Sequence, residues 1–222
     1  MQTRSSALLV AGWFFLGLAA AVPAQEPGPE SRIEILVFNY ARVSAETLTQ
    51  AESRVVTIYR HAGIEMNWVD CPLTQEAAAH HPECLLSPAP ARLALRVVAG
   101  SMGDQFGLSH DAFGVASFPE DGGLGAVALV CAQCAERVAQ GSKAMYAALL
   151  GHVMAHELGH LLLGTQSHTP RGLMHAAWRA NELQRVAQGS LLFTSQESER
   201  MRRQVADRLR VEAPVLEASK QF

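Results

Sequence analysis

The chain lacks an excess of charge of either sign. Its 222 residues include 18 Lys and Arg against 21 Asp and Glu, a formal net charge of −3 with histidine neutral. This balance excludes a polybasic surface, so we expect neither nucleic acid nor a membrane as a partner of the mature chain. With 49% hydrophobic and 18% charged residues, disordered and collagen-like chains are excluded as well. The length fits one domain, which we expect to be a monomer.

The start of the chain carries the pattern of a secretory signal. One positive residue, Arg4, precedes an uncharged and largely apolar stretch over residues 5–22, and Pro23 and the small Ala24 follow it. The pattern predicts a signal peptide over residues 1–24, cleavage after Ala24, and a mature domain over residues 25–222. A secreted or periplasmic protein is therefore expected. An uncleaved anchor helix is the alternative, whereas the absence of cysteine after the cut leaves a lipid anchor without support.

Cysteine is scarce, with four residues in all: Cys71, Cys84, Cys131 and Cys134. In the oxidising compartment that export implies, they can pair completely, in any of three connectivities. We favour local pairing, Cys71 with Cys84 and Cys131 with Cys134, because it closes two short loops. A redox-active C-x-x-C at Cys131 and Cys134 is the alternative for the second pair.

Internal repeats are also missing, and the pattern along the chain alternates between strand and helix types. Apolar alternation predicts strands at residues 33–38, 64–69, 91–98, 113–118 and 125–130. Helical spacing predicts helices over residues 44–61, 142–163 and 195–209, the last of them solvated and amphipathic, while residues 71–90 and 100–110 are predicted to be irregular. Early strands, late helices and one early crossover helix are typical of an α+β domain with a single mixed sheet.

The long helix contains the pattern with the most chemical content. Over residues 144–163 its one formally charged residue is Glu157, so the helix is apolar nearly all round and should be buried. Burying a carboxylate and imidazoles without partners is unfavourable. His156 and His160 lie one turn apart on the same face and can direct both Nε2 atoms at one metal ion. Glu157, rotated by about 100° from His156, can hold a water beside that ion.

A third protein ligand is expected, because catalytic zinc sites usually have three. Gly164 can adopt a positive φ and end the helix, after which the chain can bring His168 back to the metal. His175 and Glu182 are the alternatives for this position. His152 is expected to be a hydrogen-bonded neighbour, since one helix cannot direct three successive turns at one tetrahedral ion.

The stretch HELGHLLLGTQSHTPRGLM, residues 156–174, resembles the metzincin clan of zinc metallopeptidases, whose signature is HExxHxxGxxH followed by a Met-turn. Gly164 lies four residues after His160 instead of three, and His168 eight instead of six. The order of elements over residues 32–210 is similar to that clan as well. The resemblance implies a metzincin-like fold, with a mixed twisted sheet, a crossover helix, a buried zinc-binding helix and a C-terminal helix.

The resemblance also implies an activity. Zn²⁺ on His156, His160 and His168, with Glu157 as general base, would hydrolyse peptide bonds of a peptide or protein substrate. Met174 would form the Met-turn, and the strand over residues 113–118 would bind substrate as an added strand. Two other functions remain open. One is a non-catalytic, zinc-stabilised binding or scaffold domain, and the other is a thiol oxidoreductase that uses the C-x-x-C.

Overall fold

The computed structural model describes residues 32–105, 108 and 112–218. The predicted signal peptide lies outside the described residues. Within the described ranges, no helix is both long and apolar enough to cross a membrane.

Five strands of the described part form one mixed sheet, in the order β2-β1-β3-β5-β4. They are β1 (Arg32–Asn39), β2 (Glu65–Cys71), β3 (Arg92–Val98), β4 (Gly114–Ser117) and β5 (Val127–Cys131). β1 pairs in parallel with β2 and β3, and β3 pairs in parallel with β5. β4 pairs antiparallel with β5 and forms an edge of the sheet. The predicted mixed sheet is confirmed, with strand ends within two residues of those expected.

The helices of the described part are α1 (Ala45–His61), α2 (Gln75–Ala78), α3 (Gly100–Gln105), α4 (Ala132–Ala139), α5 (Lys143–Leu163), α6 (Ala180–Gln188) and α7 (Ser195–Ala218). The three predicted helices are confirmed as α1, α5 and α7. The predicted loop over residues 100–110 is wrong in part, because α3 occupies its first half. The helix was not predicted because two of its six residues are glycines, which disfavour helices. A contact from α4 stabilises its start: the Gly100 N–H donates to Gln133 Oε1 at 2.9 Å.

Helix α5 packs on one face of the sheet, with α1 beside it. Residues from Ala147 to Leu163 of α5 are all buried, as the apolar pattern predicts. α1 and α5 approach closely at Gly151, where a β-carbon would lie 2.6 Å from the Ala51 carbonyl oxygen. This close approach fixes α5 beside α1, and the position of α5 determines where its histidines lie.

Both local disulfides are present, which confirms the favoured pairing. Cys71–Cys84 ties the segment after β2 to the other face of the sheet, where both cysteines pack with Leu36. The expectation that residues 71–90 are irregular is wrong in part, because this segment contains α2 and a 3-10 helix at Pro82–Leu85. Cys131–Cys134 lies at the start of α4.

The charge pattern of helix α7 predicts a solvated helix, and this prediction is wrong in part because two of its charged side chains are buried. Arg208 is 1% exposed and donates to three backbone carbonyls: Nη1 to Pro90 at 2.9 Å, and Nη2 to Gly125 at 3.1 Å and Leu161 at 2.5 Å. Burial lowers the pKa of this guanidinium to about 10. Glu197, near the start of the helix, is also buried. Two charged side chains therefore fix α7 to the interior.

Candidate metal centre

Two histidines of α5 bring their Nε2 atoms together, 3.1 Å apart. On the other side of each ring, Nδ1 donates to a backbone carbonyl: His156 to Leu173 at 2.8 Å and His160 to Thr165 at 2.9 Å. With the protons on Nδ1, both Nε2 atoms carry lone pairs, so their contact is not a hydrogen bond. Two such lone pairs repel each other unless a cation lies between them. A tetrahedral Zn²⁺ with bonds of about 2.0–2.1 Å separates two nitrogens by about 3.3 Å, so this pair fits zinc.

His168 completes a group of three. The turn that returns it begins at Gly164, whose φ of +64° lies in the left-handed region that glycine adopts readily. The His168 ring centroid lies 5.3 Å from that of His156 and 4.9 Å from that of His160. One ligand atom from each of the three residues lies within 4.8 Å of the others. Three imidazoles around one point form a donor set that suits Zn²⁺.

The electrostatic environment favours the ligand form of these side chains. Burial lowers the pKa of His156 to about 3 and also lowers the pKa of His160, and the partial burial of the more exposed His168 lowers its pKa as well. A neutral imidazole offers a free lone pair, whereas an imidazolium does not. The three rings are therefore ready to bind a cation at neutral pH without first losing a proton.

The alternative ligands take other positions. Glu182 is half-buried and accepts the Arg179 backbone N–H at 2.9 Å, which lowers the pKa of its carboxyl. His175 lines the cleft near His168 but lies outside the three-histidine group. His152 is fully buried, and its Nδ1 donates to the Ala148 carbonyl at 2.7 Å. The hydrogen-bonded position of His152 agrees with the role expected for it.

Glu157 lies on the sheet side of the centre. Its side chain is 5% exposed, and burial raises its pKa to about 8. It fits against β4 because Gly114 has no side chain there. The carboxyl therefore lines the same cleft as the three histidines and has a raised proton affinity.

The cleft above these groups has a volume of about 550 Å³. β4 forms one wall, and the segment over residues 175–178 forms another. The rings of Phe113 and Trp178 stack on each other at the cleft, with centroids 6.4 Å apart, and form an aromatic wall. The centroids of the Trp178 and His156 rings lie 5.7 Å apart in an edge-to-face arrangement. This aromatic pair was not predictable from the sequence, since two aromatics 65 residues apart carry no periodic signal.

Beneath α5, Met174 packs against the helix at a glycine. A β-carbon on Gly159 would lie 2.7 Å from Met174 Sδ and 2.9 Å from Phe193 Cε1. The residue at the second variable position of the HExxH pattern, Gly159, therefore cannot be replaced by a larger one without displacing Met174 or Phe193. The Met174 carbonyl accepts the Thr169 N–H at 2.9 Å, which closes the turn that follows His168.

The free edge of β4 faces the cleft. The Phe113 carbonyl accepts the Cys131 N–H at 2.7 Å, so alternate residues of the strand direct their backbone groups to β5. Gly114 and Ala116 then direct theirs to the free edge. In agreement, Gln166 Nε2 approaches the Ala116 carbonyl from that side at 3.5 Å.

Comparison with known proteins gives limited similarity. No protein-family model matches the sequence, and no curated protein is significantly similar. An archaemetzincin from Methanopyrus kandleri is similar in structure, with 17% identity and a TM-score of 0.48 over 83% of this chain and 99% of the other. A zinc-dependent peptidase from Methanocorpusculum labreanum shows 18% identity and a TM-score of 0.49 over 75% of this chain and 99% of the other. At such low identity, neither similarity assigns a role to a residue of this chain.

Proposed function

We propose that the protein is an exported, zinc-dependent endopeptidase that hydrolyses bonds in peptide or protein substrates. In this proposal His156, His160 and His168 hold the metal, and Glu157 is the general base. The observation that carries it is the pair of Nε2 lone pairs 3.1 Å apart in a cleft that a buried carboxyl also lines. When bound, zinc supplies a Lewis acid that polarises the scissile carbonyl and lowers the pKa of water to about 7.

Glu157 carries a proton from the attacking water to the leaving amine. One carboxylate oxygen accepts the proton of the attacking water, and the same oxygen later passes it to the leaving amine. Burial favours this role because it raises the proton affinity of the carboxyl towards that of its reaction partners. An exposed glutamate with the ordinary pKa of 4.5 would be a weaker base towards the attacking water.

The substrate binds as an added strand on the free edge of β4. The outward backbone groups of Gly114 can pair with an extended peptide. Since Gly114 also touches Glu157, a peptide on this edge passes directly over the carboxyl and the imidazoles. A side chain next to the scissile bond then meets the aromatic wall of Phe113 and Trp178.

Met174 forms the Met-turn of this site. Its thioether fills the space below Gly159. The neighbouring carbonyl, that of Leu173, holds Nδ1 of His156. The turn thus orients one ligand and provides an apolar floor beneath it.

The two other functions are less well supported. A purely structural zinc site has no use for a buried carboxyl that lines an open cleft. A thiol oxidoreductase needs an accessible attacking sulfur, whereas Cys131 is 0% exposed in the Cys131–Cys134 disulfide. The same disulfide, together with Cys71–Cys84, supports the proposed export, because such bonds persist in oxidising compartments.

Peptide cleavage by the zinc-loaded mature chain, residues 25–222, tests the proposal. A diverse peptide library is incubated with the wild type, Glu157→Gln and Glu182→Gln, and zinc content is measured for each. We expect cleavage by the wild type and by Glu182→Gln, and none by Glu157→Gln, although it retains one zinc per chain. Cleavage by Glu157→Gln at the wild-type rate would overturn the mechanism.

The ligand set has its own test. We expect His168→Ala to weaken zinc binding by at least 10-fold in competition with a chelator, because one of three protein ligands is lost. His175→Ala should bind zinc like the wild type. The reverse result would assign the third position to His175.

A further inference from the structure

The third histidine differs from the first two in how its ring is held. His156 and His160 each donate an Nδ1 proton to a backbone carbonyl. Among the described residues, the His168 ring makes no hydrogen bond, and its side chain is exposed. The position of His168 therefore depends on how firmly its own backbone is held.

The residue that follows it provides an attachment. Thr169 Oγ1 lies 2.7 Å from Glu197 Oε1 and 2.9 Å from the Arg171 carbonyl. A hydroxyl has one proton, and the shorter contact to a carboxylate is the stronger of the two. The backbone N–H of Thr169 is also bound, to the Met174 carbonyl. Thr169 is thus fixed through both its side chain and its backbone.

Glu197 is itself rigidly placed. Its side chain is 6% exposed, and Oε2 accepts the Thr194 backbone N–H at 2.7 Å. The Glu197 N–H donates in return to Thr194 Oγ1 at 3.3 Å, a reciprocal capping arrangement at the start of α7. Arg208 then joins α7 to the Leu161 carbonyl on α5. The carboxylate is therefore fixed relative to the helix that carries the other two histidines.

We infer that Glu197 is a positioning residue for the third metal ligand, acting through the Thr169 hydroxyl. This inference rests on the proposed ligation by His168. The carboxylate limits the movement of the turn and holds His168 near the point at which the other two Nε2 atoms converge. Groups that hydrogen-bond a metal ligand directly typically change metal affinity by about 10- to 100-fold, and Glu197 acts through the residue next to the ligand, so we expect the lower end of that range.

Metal affinity of the mature chain, measured with Zn²⁺ against a chelator and with Co²⁺ by its visible absorption, tests this role. We expect Thr169→Val to weaken binding by about 10-fold, since valine keeps the shape of threonine and removes the hydroxyl. Thr169→Ser keeps the hydroxyl and should bind within about twofold of the wild type. Glu197→Gln should fall between them, because a neutral amide accepts more weakly than a carboxylate. Glu199→Gln removes an exposed carboxylate from the same helix and should change nothing.

Two further measurements separate the possible failures. Far-UV circular dichroism and unfolding of the metal-free variants show whether Thr169→Val and Glu197→Gln fold. In a double-mutant cycle, Thr169→Val should add no loss in a His168→Ala background. If His168→Ala weakens binding and neither Thr169→Val nor Glu197→Gln does, the inference is wrong and the ligand set stands. An additional loss of affinity in the double mutant, compared with His168→Ala alone, would also overturn the inference. Unchanged zinc affinity in His168→Ala would overturn both the inference and the proposed ligand set.

Discussion

Gly114 and Glu157 are in contact across the boundary between sheet and helix. A β-carbon on Gly114 would lie 2.6 Å from Glu157 Cγ, and equally 2.6 Å from the Leu129 carbonyl oxygen on β5. Neither the helix nor the sheet can move away easily, because both belong to the packed core. The glycine therefore determines how close the free strand edge comes to the carboxyl.

Gly114→Ala should reduce catalysis without removing zinc. The added methyl group must displace the Glu157 side chain or β4, and a misplacement of about 1 Å can cost about 100-fold in rate. We expect kcat to fall by about that factor while zinc content is unchanged. Ser117→Ala, at the exposed end of the same strand, is the control. Wild-type kcat in Gly114→Ala would show that the contact has no catalytic importance.

His152 should make the metal-free protein less stable in acid. Burial lowers its pKa to about 4, so it stays neutral in the folded protein while the unfolded chain binds a proton below the ordinary value of 6.5. The stability it contributes is present above about pH 6.5 and is lost as the pH falls towards about 4. His152→Leu should therefore show a smaller change in the free energy of unfolding over this range. Urea unfolding at several pH values measures it, and an unchanged slope would count against the buried neutral form.

Glu52 should act in the opposite direction. Burial, with a smaller contribution from the charge and hydrogen bond of Asp70, raises its pKa from 4.5 to about 8. Between these values the folded protein binds more protons than the unfolded chain, so stability is lost as the pH rises from about 4.5 to 8. Glu52→Gln is neutral throughout and should be more stable than the wild type at pH 8 relative to pH 5. Equal pH dependence in the two proteins would contradict the raised pKa.

Arg208→Met should destabilise the whole fold. The substitution keeps an apolar chain of similar length but leaves the carbonyls of Pro90, Gly125 and Leu161 without their donor. Buried polar groups that lose a charged partner cost several kcal/mol in total, so we expect a loss of about 3 kcal/mol or more in the free energy of unfolding. Arg203→Met removes an exposed guanidinium from the same helix and should cost less than about 1 kcal/mol. Urea unfolding of both variants provides the comparison.

The sequence predicts best those features that depend on neighbours along the chain. The long helix begins after Ser142, whose hydroxyl accepts the Met145 N–H, and ends at Gly164. Both boundaries come from local capping chemistry, and the approach of His156 to His160 follows from helical spacing alone. The return of His168 towards His156 and His160 was also predictable, because Gly164 ends the helix with a positive φ and only three residues separate it from His168.

Features that depend on distant contacts were not predictable. Arg208 binds a carbonyl 118 residues away, so nothing in its own helix distinguishes it from its solvated neighbours. The spacing of Thr194 and Glu197 is that of a capping box, but nothing local shows that the same carboxylate also reaches Thr169, 28 residues away. The Phe113–Trp178 wall and the contact between Gly114 and Glu157 arise only when β4 and the segment after Met174 meet over α5.

The position of α7 in the chain bears on the order of events during biosynthesis. A nascent chain that ends before residue 195 already contains the whole HExxH stretch and His168. It still lacks Glu197 and Arg208, which hold the turn and the end of α5. If Glu197 positions His168 as inferred, metal capture with full affinity follows the synthesis of α7, and chains that end before this helix would compete poorly for scarce metal.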